Sequence, residues 1–205
     1  MNDMLGVVLA GGLSRRMEGP EKSLLKLGEV PLIKRVTDRL VQQVSSIVVN
    51  ANGNPERFEF LHKPVIQDTV EGFAGPLAGV LAGMRWAREN TDASHILTVA
   101  ADTPFFPMNY AAIISEVAME ENARIALSFS NGRRHPVFGL WPVDLADELE
   151  TFLVDEGERK VMIFVERFPN CIAIFDGNDP DPFFNVNTPD DMRLAEEILA
   201  RQEQQ

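Results

Sequence analysis

The chain has 205 residues, one cysteine (Cys171), and 19 Lys and Arg against 31 Asp and Glu, a net charge of -12. That length implies one domain able to bury roughly 70% of the surface its unfolded chain exposes. A lone cysteine excludes an internal disulfide and a multi-cysteine zinc site, and the acidic balance speaks against a nucleic-acid partner.

The opening MNDMLGVVLAGG has a short apolar run with no basic residues before it, so no signal peptide is expected. No run approaches the ~20 apolar residues of a membrane helix, so no membrane partner is expected. A cytoplasmic location follows as an expectation.

Met4 to Ala10 reads as a buried strand ended by Gly11-Gly12. After Pro31, Leu32, Ile33, Val36, Leu40 and Val44 recur at helical spacing. Ser46–Asn50 (SIVVN) and Pro64–Asp68 (PVIQD) read as further strands. Gly75 opens a helix, GPLAGVLAGMRWAREN, with Pro76 in the first turn, where its missing N–H costs nothing.

His95–Ala101 is the next strand, closed by Asp102-Thr103-Pro104. A helix over 109–121 and a strand over 124–129 follow. SNGRRHP reads as a turn into PVFGLW, a connection too short for a crossover and therefore antiparallel. Helical patterns lie at 143–155 and 159–168, Cys171–Phe175 reads as a strand, and Pro189–Gln202 as a helix with Thr188 as N-cap.

Strands alternating with helices predict a three-layer α/β/α, Rossmann-like domain with a mostly parallel, mixed sheet. Such sheets bind ligands beyond the carboxyl ends of their strands. The Gly11-Gly12 loop, Asn50, Asp68 and Asp102 fall at that edge.

The first loop, VVLAGGLSRRMEGPEKSLL, is neither G-x-G-x-x-G nor G-x-x-x-x-G-K-[ST]. Its glycines would let backbone N–H groups approach a phosphate. Arg15, Arg16 and Lys22 would add charge-assisted donors. A solvated turn with basic residues facing water is the competing reading.

LAGG-x-S-x-R-M followed by a lysine resembles the signature of nucleotidyltransferases of the glycosyltransferase-A-like superfamily. VVNAN, VIQD, GPLAG, ADTPF, RRHPV, ERKVM and FFNVNTPDD then come in the order seen in molybdenum cofactor guanylyltransferases, across nearly the whole chain. Glu18 and Glu21 depart from the family's usual glycine and aspartate.

The resemblance implies one nucleotidyltransferase domain over 1–205. A nucleotide-binding half spans about 1–105 and an acceptor-binding half about 106–205. It implies transfer of GMP from GTP to the phosphate of molybdenum-bearing molybdopterin, with Mg2+ as cofactor. Proteins that deliver the cofactor or receive it for molybdoenzymes are further implied partners. Lys22, Asp102 and Arg16 would be catalytic, with Asp102 on the metal. Leu9, Ala10, Gly11, Gly12, Lys22, Asn50, Asp68, Gly75 and Asp102 would hold the nucleotide. Arg133, His135, Lys160, Asn185 and Asn187 would hold the acceptor, with Asn187 also offering the metal an oxygen.

Alternatives stand beside these roles. Asp102 and Asn187 also suit turns before helices. Asp68 could accept from the N1–H and N2–H2 edge of guanine, or cap a helix or contact a ribose. Gly75 and Gly79 serve a ligand's approach or tight helix–sheet packing. Arg133, Arg134, Arg159 and Lys160 could be surface charge, and His135 a structural histidine. Cys171 reads as a buried thiol. A sister enzyme using CTP or a sugar or polyol phosphate shares the first loop, and a carrier without turnover would bind the same ligands.

Overall fold

The computed structural model describes residues 4–11, 22–70, 75–177 and 180–202. Strand β1 (Met4–Leu9) is central. A single 3-10 turn, Lys22–Leu24, leads into a two-stranded hairpin of β2 (Lys26–Leu27) and β3 (Val30–Pro31). Then come α1 (Leu32–Leu40), β4 (Ser46–Asn50), a 3-10 segment Pro55–Leu61 and β5 (Val65–Ile66). Helix α2 (Pro76–Asn90), β6 (His95–Ala100) and α3 (Tyr110–Glu120) follow. The remainder is β7 (Ile125–Ser130), β8 (Arg133–Pro142), α4 (Ala146–Val154), α5 (Val161–Val165), β9 (Asn170–Ile174) and α6 (Pro189–Gln202).

The main sheet runs β5-β4-β1-β6-β8-β7-β9. Every strand is parallel to the rest except β8, which is antiparallel to both its neighbours. This is the expected mixed sheet. Alternation along β1 sends Met4 and Val8 to one face and Leu5 and Val7 to the other. On the first face they pack with α1 and α3 through Ile33, Val36, Tyr110 and Ile114. On the second they pack with α2, α4 and α5 through Leu77, Leu81, Phe152 and Phe164. Helix α6 closes a smaller cluster, Ala195 and Ile198 against Leu27, Leu32 and Phe105.

Several boundaries differ from the sequence reading. Helix α1 stops at Leu40 although Val44 keeps the spacing. The Gln43 amide donates to Arg39 O and Pro107 O and accepts from Ala111 N, so it replaces the helix's own hydrogen bonding there. SNGRRHP is not a long turn: only Asn131 and Gly132 turn, both at positive φ, the conformation a two-residue hairpin requires. Strand β8 therefore starts at Arg133 and carries Arg133, Arg134 and His135 at the sheet's carboxyl edge. The second helical pattern contracts to the five residues of α5.

Candidate active site

The strand order reverses between β1 and β6, with β4 and β5 on one side and β8, β7 and β9 on the other. The crevice at the carboxyl end of such a switch point is where open parallel sheets bind ligands. Ala101 N donates to Leu9 O at 3.0 Å, and Ala10 N to Asn50 O at 2.8 Å. The ends of β1, β4 and β6 are thereby laced into one rim.

Lys22 reaches back to this rim. Its Nζ lies 2.5 Å from Asp102 Oδ2 and also donates to Asn187 Oδ1. Both charged side chains are about a fifth to a quarter exposed, at 19% and 24%. Val186 N donates to Asp102 O at 2.9 Å, so the segment bearing Asn187 is pinned to the end of β6. Asn187 N and Thr188 N both donate to Asp191 Oδ2, while Asp191 N donates to Thr188 Oγ1. This is a capping box at the start of α6, with Thr188 in the N-cap role read from sequence. Thr103 Oγ1 donates to Asn185 Oδ1 at 2.8 Å. Lys22, Asp102, Asn185 and Asn187 are thus brought together.

The donor set suits a hard divalent cation. A carboxylate oxygen and an amide oxygen converge on one positive nitrogen, so they already surround a point of positive charge. Among the described residues no group of three or more His, Cys, Asp and Glu is gathered. Mg2+ commonly keeps waters and substrate phosphates as its remaining ligands, so two protein oxygens are enough.

A second cluster lies beside Leu9. Asn50, 2% exposed, donates from Nδ2 to Asp68 Oδ1 at 2.9 Å, and Asn52 Nδ2 donates to Asp68 Oδ2 at 2.7 Å. Asp68 N donates to Asn52 Oδ1 in return. A Cβ on Gly79 would press into the Asn50 amide oxygen and come within 2.6 Å of Leu9 Cδ2. Gly79 thus serves close packing of α2 on this cluster. Gly75 caps α2 at φ +69° with open space around it, so its requirement is conformational. Gly11 borders Asn50 and Asn52.

A cavity of about 420 Å3 opens next to the first cluster, lined by Arg133, Arg134, His135, Phe184, Asn185 and Asn187 among others. Asn187 belongs to both. His135 stacks on Phe183 with ring centres 4.7 Å apart. Its Nε2 lies 2.7 Å from Ser130 Oγ, which in turn lies 2.7 Å from Asp181 Oδ1. Arg133 pairs with Asp181 Oδ2 at 3.1 Å, and Phe183 N donates to Asp181 Oδ1. Burial pushes the Asp181 carboxyl up. The Ser130 hydroxyl, the Phe183 N–H, His135 and Arg133 outweigh it and hold the group below its ordinary value. Burial pushes the His135 imidazole down, opposed by Asp181 and aided by Arg133.

Lys160 is not among the cavity's lining residues. It is exposed, and its backbone N–H, with that of Arg159, is held by the Glu158 carboxylate at the start of α5. Gly12, Arg15, Arg16, Glu18 and Glu21 lie outside the described residues. Cys171 is a buried free thiol in the core, as read from sequence. Ser130, Asp181, Asn52 and Asp191 were not singled out by sequence. Only Asp191 carried a local signal, three residues after Thr188.

Residues 6–168 match the model of the MobA-like NTP transferase domain. A molybdenum cofactor guanylyltransferase of Mesorhizobium japonicum is 45% identical over 200 residues, covering 96% of each chain. The solved structure of molybdopterin-guanine dinucleotide biosynthesis protein A from Archaeoglobus fulgidus superposes with a TM-score of 0.73 at 24% identity, over 97% of this chain and 100% of that one. A Mycobacterium tuberculosis protein solved as a complex with manganese gives a TM-score of 0.68 at 20% identity, over 96% of this chain and 98% of that one. At nearly full length and well above a third identity, the first of these matches shows that this chain is a nucleotidyltransferase belonging to the molybdenum cofactor guanylyltransferase family.

Proposed function

We propose that this chain transfers GMP from GTP to the terminal phosphate of molybdenum-bearing molybdopterin, giving molybdopterin guanine dinucleotide and pyrophosphate. The observation that carries the reading is the convergence of Lys22, Asp102 and Asn187 beside a cavity with basic walls. A phosphate oxygen of the acceptor attacks the α-phosphorus, and the bond to the bridging oxygen of pyrophosphate breaks. A phosphate monoester is largely ionised near pH 7, so no strong general base is needed. Catalysis then rests on alignment and on neutralising charge.

Lys22 and Asn187 orient the triphosphate, and Asp102 with the Asn187 amide oxygen would hold the divalent cation, Mg2+ in this reading. When bound there, the ion would supply positive charge against the triphosphate. Leu9, Ala10 and Gly11 offer backbone to the nucleotide. Asp68, steadied by Asn50 and Asn52, keeps lone pairs for the guanine N1–H and N2–H2 edge. Arg133, Arg134, His135 and Asn185 face the acceptor. Nucleotide-side residues thus come from about 1–105 and acceptor-side residues from about 106–205, and Lys22 with Asn187 joins the two sides.

The test is incubation with each of GTP, CTP and ATP, Mg2+ and molybdopterin, with pyrophosphate release and the mass of the product as readouts. Formation of the guanine dinucleotide with GTP is expected. Equal use of CTP, or turnover only with a sugar or polyol phosphate as acceptor, overturns the substrate assignment, and binding without pyrophosphate release overturns the reaction.

A further inference from the structure

The Asp181–Ser130–His135 chain has a consequence for what the cavity can recognise. Ser130 Oγ carries one proton and two lone pairs. An ionised Asp181 can only accept, and Oδ1 already takes the Phe183 N–H. The Ser130 proton therefore goes to Asp181, and Ser130 must accept from His135. Nε2 of His135 is then the protonated nitrogen. In the neutral ring Nδ1 is bare, and it makes no hydrogen bond among the described residues. Ser130 is 1% exposed, so water does not compete for this arrangement. The Phe183 stack fixes the plane of the ring. Burial of the imidazole beside Arg133 favours the neutral form near pH 7.

We propose that His135 Nδ1 is a dedicated hydrogen-bond acceptor on the cavity wall that reads an N–H donor on the acceptor's heterocycle, with Ser130 and Asp181 as positioning residues that set its tautomer. This rests on the molybdopterin reading above. The alternative role, a phosphate ligand, conflicts with the proton count. An ionised phosphate oxygen is also acceptor-only, and opposite a bare Nδ1 it finds no proton. The anionic end of the acceptor belongs instead with the guanidinium groups of the same wall, Arg133 and Arg134. A pterin ring presents N–H donors along one edge and satisfies a bare imidazole nitrogen. His135 thus selects for the head of the acceptor; Ser130 acts through it, and Asp181 acts through it and through its pair with Arg133.

Two measurements on the full chain test this. Nitrogen-15 NMR of the histidine side chains, with His135 assigned by its loss in His135→Phe, should show Nε2 protonated and Nδ1 bare at pH 7. Ser130→Ala should shift that spectrum toward a tautomer mixture. Separately, pterin and a derivative methylated at N3 and twice at the exocyclic amine, so that no N–H remains on that edge, are titrated against wild type, His135→Phe and Ser130→Ala.

Pterin should bind wild type about tenfold better than its binding to His135→Phe, a single hydrogen bond's worth. The methylated ring should bind both alike. A protonated Nδ1, no detectable pterin binding to wild type, or the same loss for both ligands in His135→Phe overturns the inference. Guanylylation of molybdopterin by wild type, run in parallel, separates the two failures. If the dinucleotide forms while the pterin edge goes unread, this inference alone falls. If no dinucleotide forms, the acceptor assignment falls.

Discussion

Lys22 Nζ and Asp102 Oδ2 are eighty positions apart in the chain and 2.5 Å apart in space. The pair links the segment after β1 to the end of β6, the two strands that flank the reversal in strand order. The parallel pairing of β1 with β6, Leu9 opposite Ala100, makes the meeting possible. It brings both strand ends to one level, and a lysine side chain can span what remains.

Replacing Asp102 with Ala removes the carboxylate from this point and leaves Lys22 on Asn187 alone. The pair is partly exposed, and pairs of this kind contribute at most about 1 kcal/mol to stability. In a chain of this size that is a melting shift below about 4 °C. Turnover, which depends on charge placed at the reacting phosphates, should fall by about 100-fold or more. Pyrophosphate release and a melting curve on the same sample decide the matter. Near-normal turnover by the folded variant would remove Asp102 from the role given to it.

Asp68 is held by two amide donors, from Asn50 and Asn52. An asparagine at 68 presents one oxygen and one NH2 group where both neighbours offer N–H. At least one of those bonds is lost, and the NH2 group faces away from any role as acceptor for guanine. Asp68→Asn should lower the ratio of kcat/KM for GTP over ATP by about tenfold, the cost of one mispaired polar contact. Parallel kinetics with the two nucleotides read this directly. A ratio equal to wild type would leave Asp68 as a structural carboxylate.

Much of this arrangement was legible before the structure. Strands β1, β4 and β6 are buried on both faces and read as continuous apolar runs, the pattern parallel strands impose. The two-residue strands β2 and β3 carry no period long enough to detect, whereas β5 lies within the strand read at Pro64–Asp68 and is only shorter than expected. The 3-10 segment Pro55–Leu61 did have a signal, Asn54 as cap with Pro55 behind it, and Asn54 Oδ1 indeed accepts from Glu56 N. Lys22, Asp102 and Asn187 were visible through the motifs that carry the resemblance, the basic first loop, ADTPF and FFNVNTPDD. Ser130 and Asp181 were not. Each is an ordinary polar residue locally, and only the hairpin turn at Asn131-Gly132 and the return of the chain after β9 set them against His135. Lys160 stands in the ERKVM motif; the structure leaves it exposed, with the Glu158 carboxylate accepting from its backbone N–H and from that of Arg159 just before α5.

Asp191 reaches the proposed metal site through Asn187. Its Oδ2 accepts from Asn187 N at 2.9 Å and from Thr188 N at 2.8 Å. Asp191→Ala removes the anchor that fixes the Asn187 backbone and one half of the capping box. The cap should cost about 1 kcal/mol. The looser Asn187 should raise the Mg2+ concentration needed for half-maximal turnover several-fold, with turnover largely recovered at saturating Mg2+. A metal titration unchanged from wild type, alongside a lowered melting temperature, would confine Asp191 to capping.

His135 and Asp181 give the fold an acid-side sensitivity with a defined sign. Both hold their folded values below the ordinary ones, 6.5 for the imidazole and 3.8 for the carboxyl. In each case the unfolded chain binds the proton more readily, so stability rises with pH across the interval between folded and unfolded values. The contribution of His135 is fully present above pH 6.5 and is lost as pH falls through its folded value. That of Asp181 is present above pH 3.8 and goes as pH falls through its own, lower, folded value. Charging His135 also places a cation beside Arg133, whose guanidinium already lies on Asp181. Urea unfolding across this range should show a smaller loss in His135→Phe than in wild type, because His95, whose imidazole is also pushed down by burial, still titrates in both. Parallel stability curves for the two proteins below pH 6.5 would mean that His135 titrates alike in both states, and that the buried Ser130 contact does not hold the ring neutral.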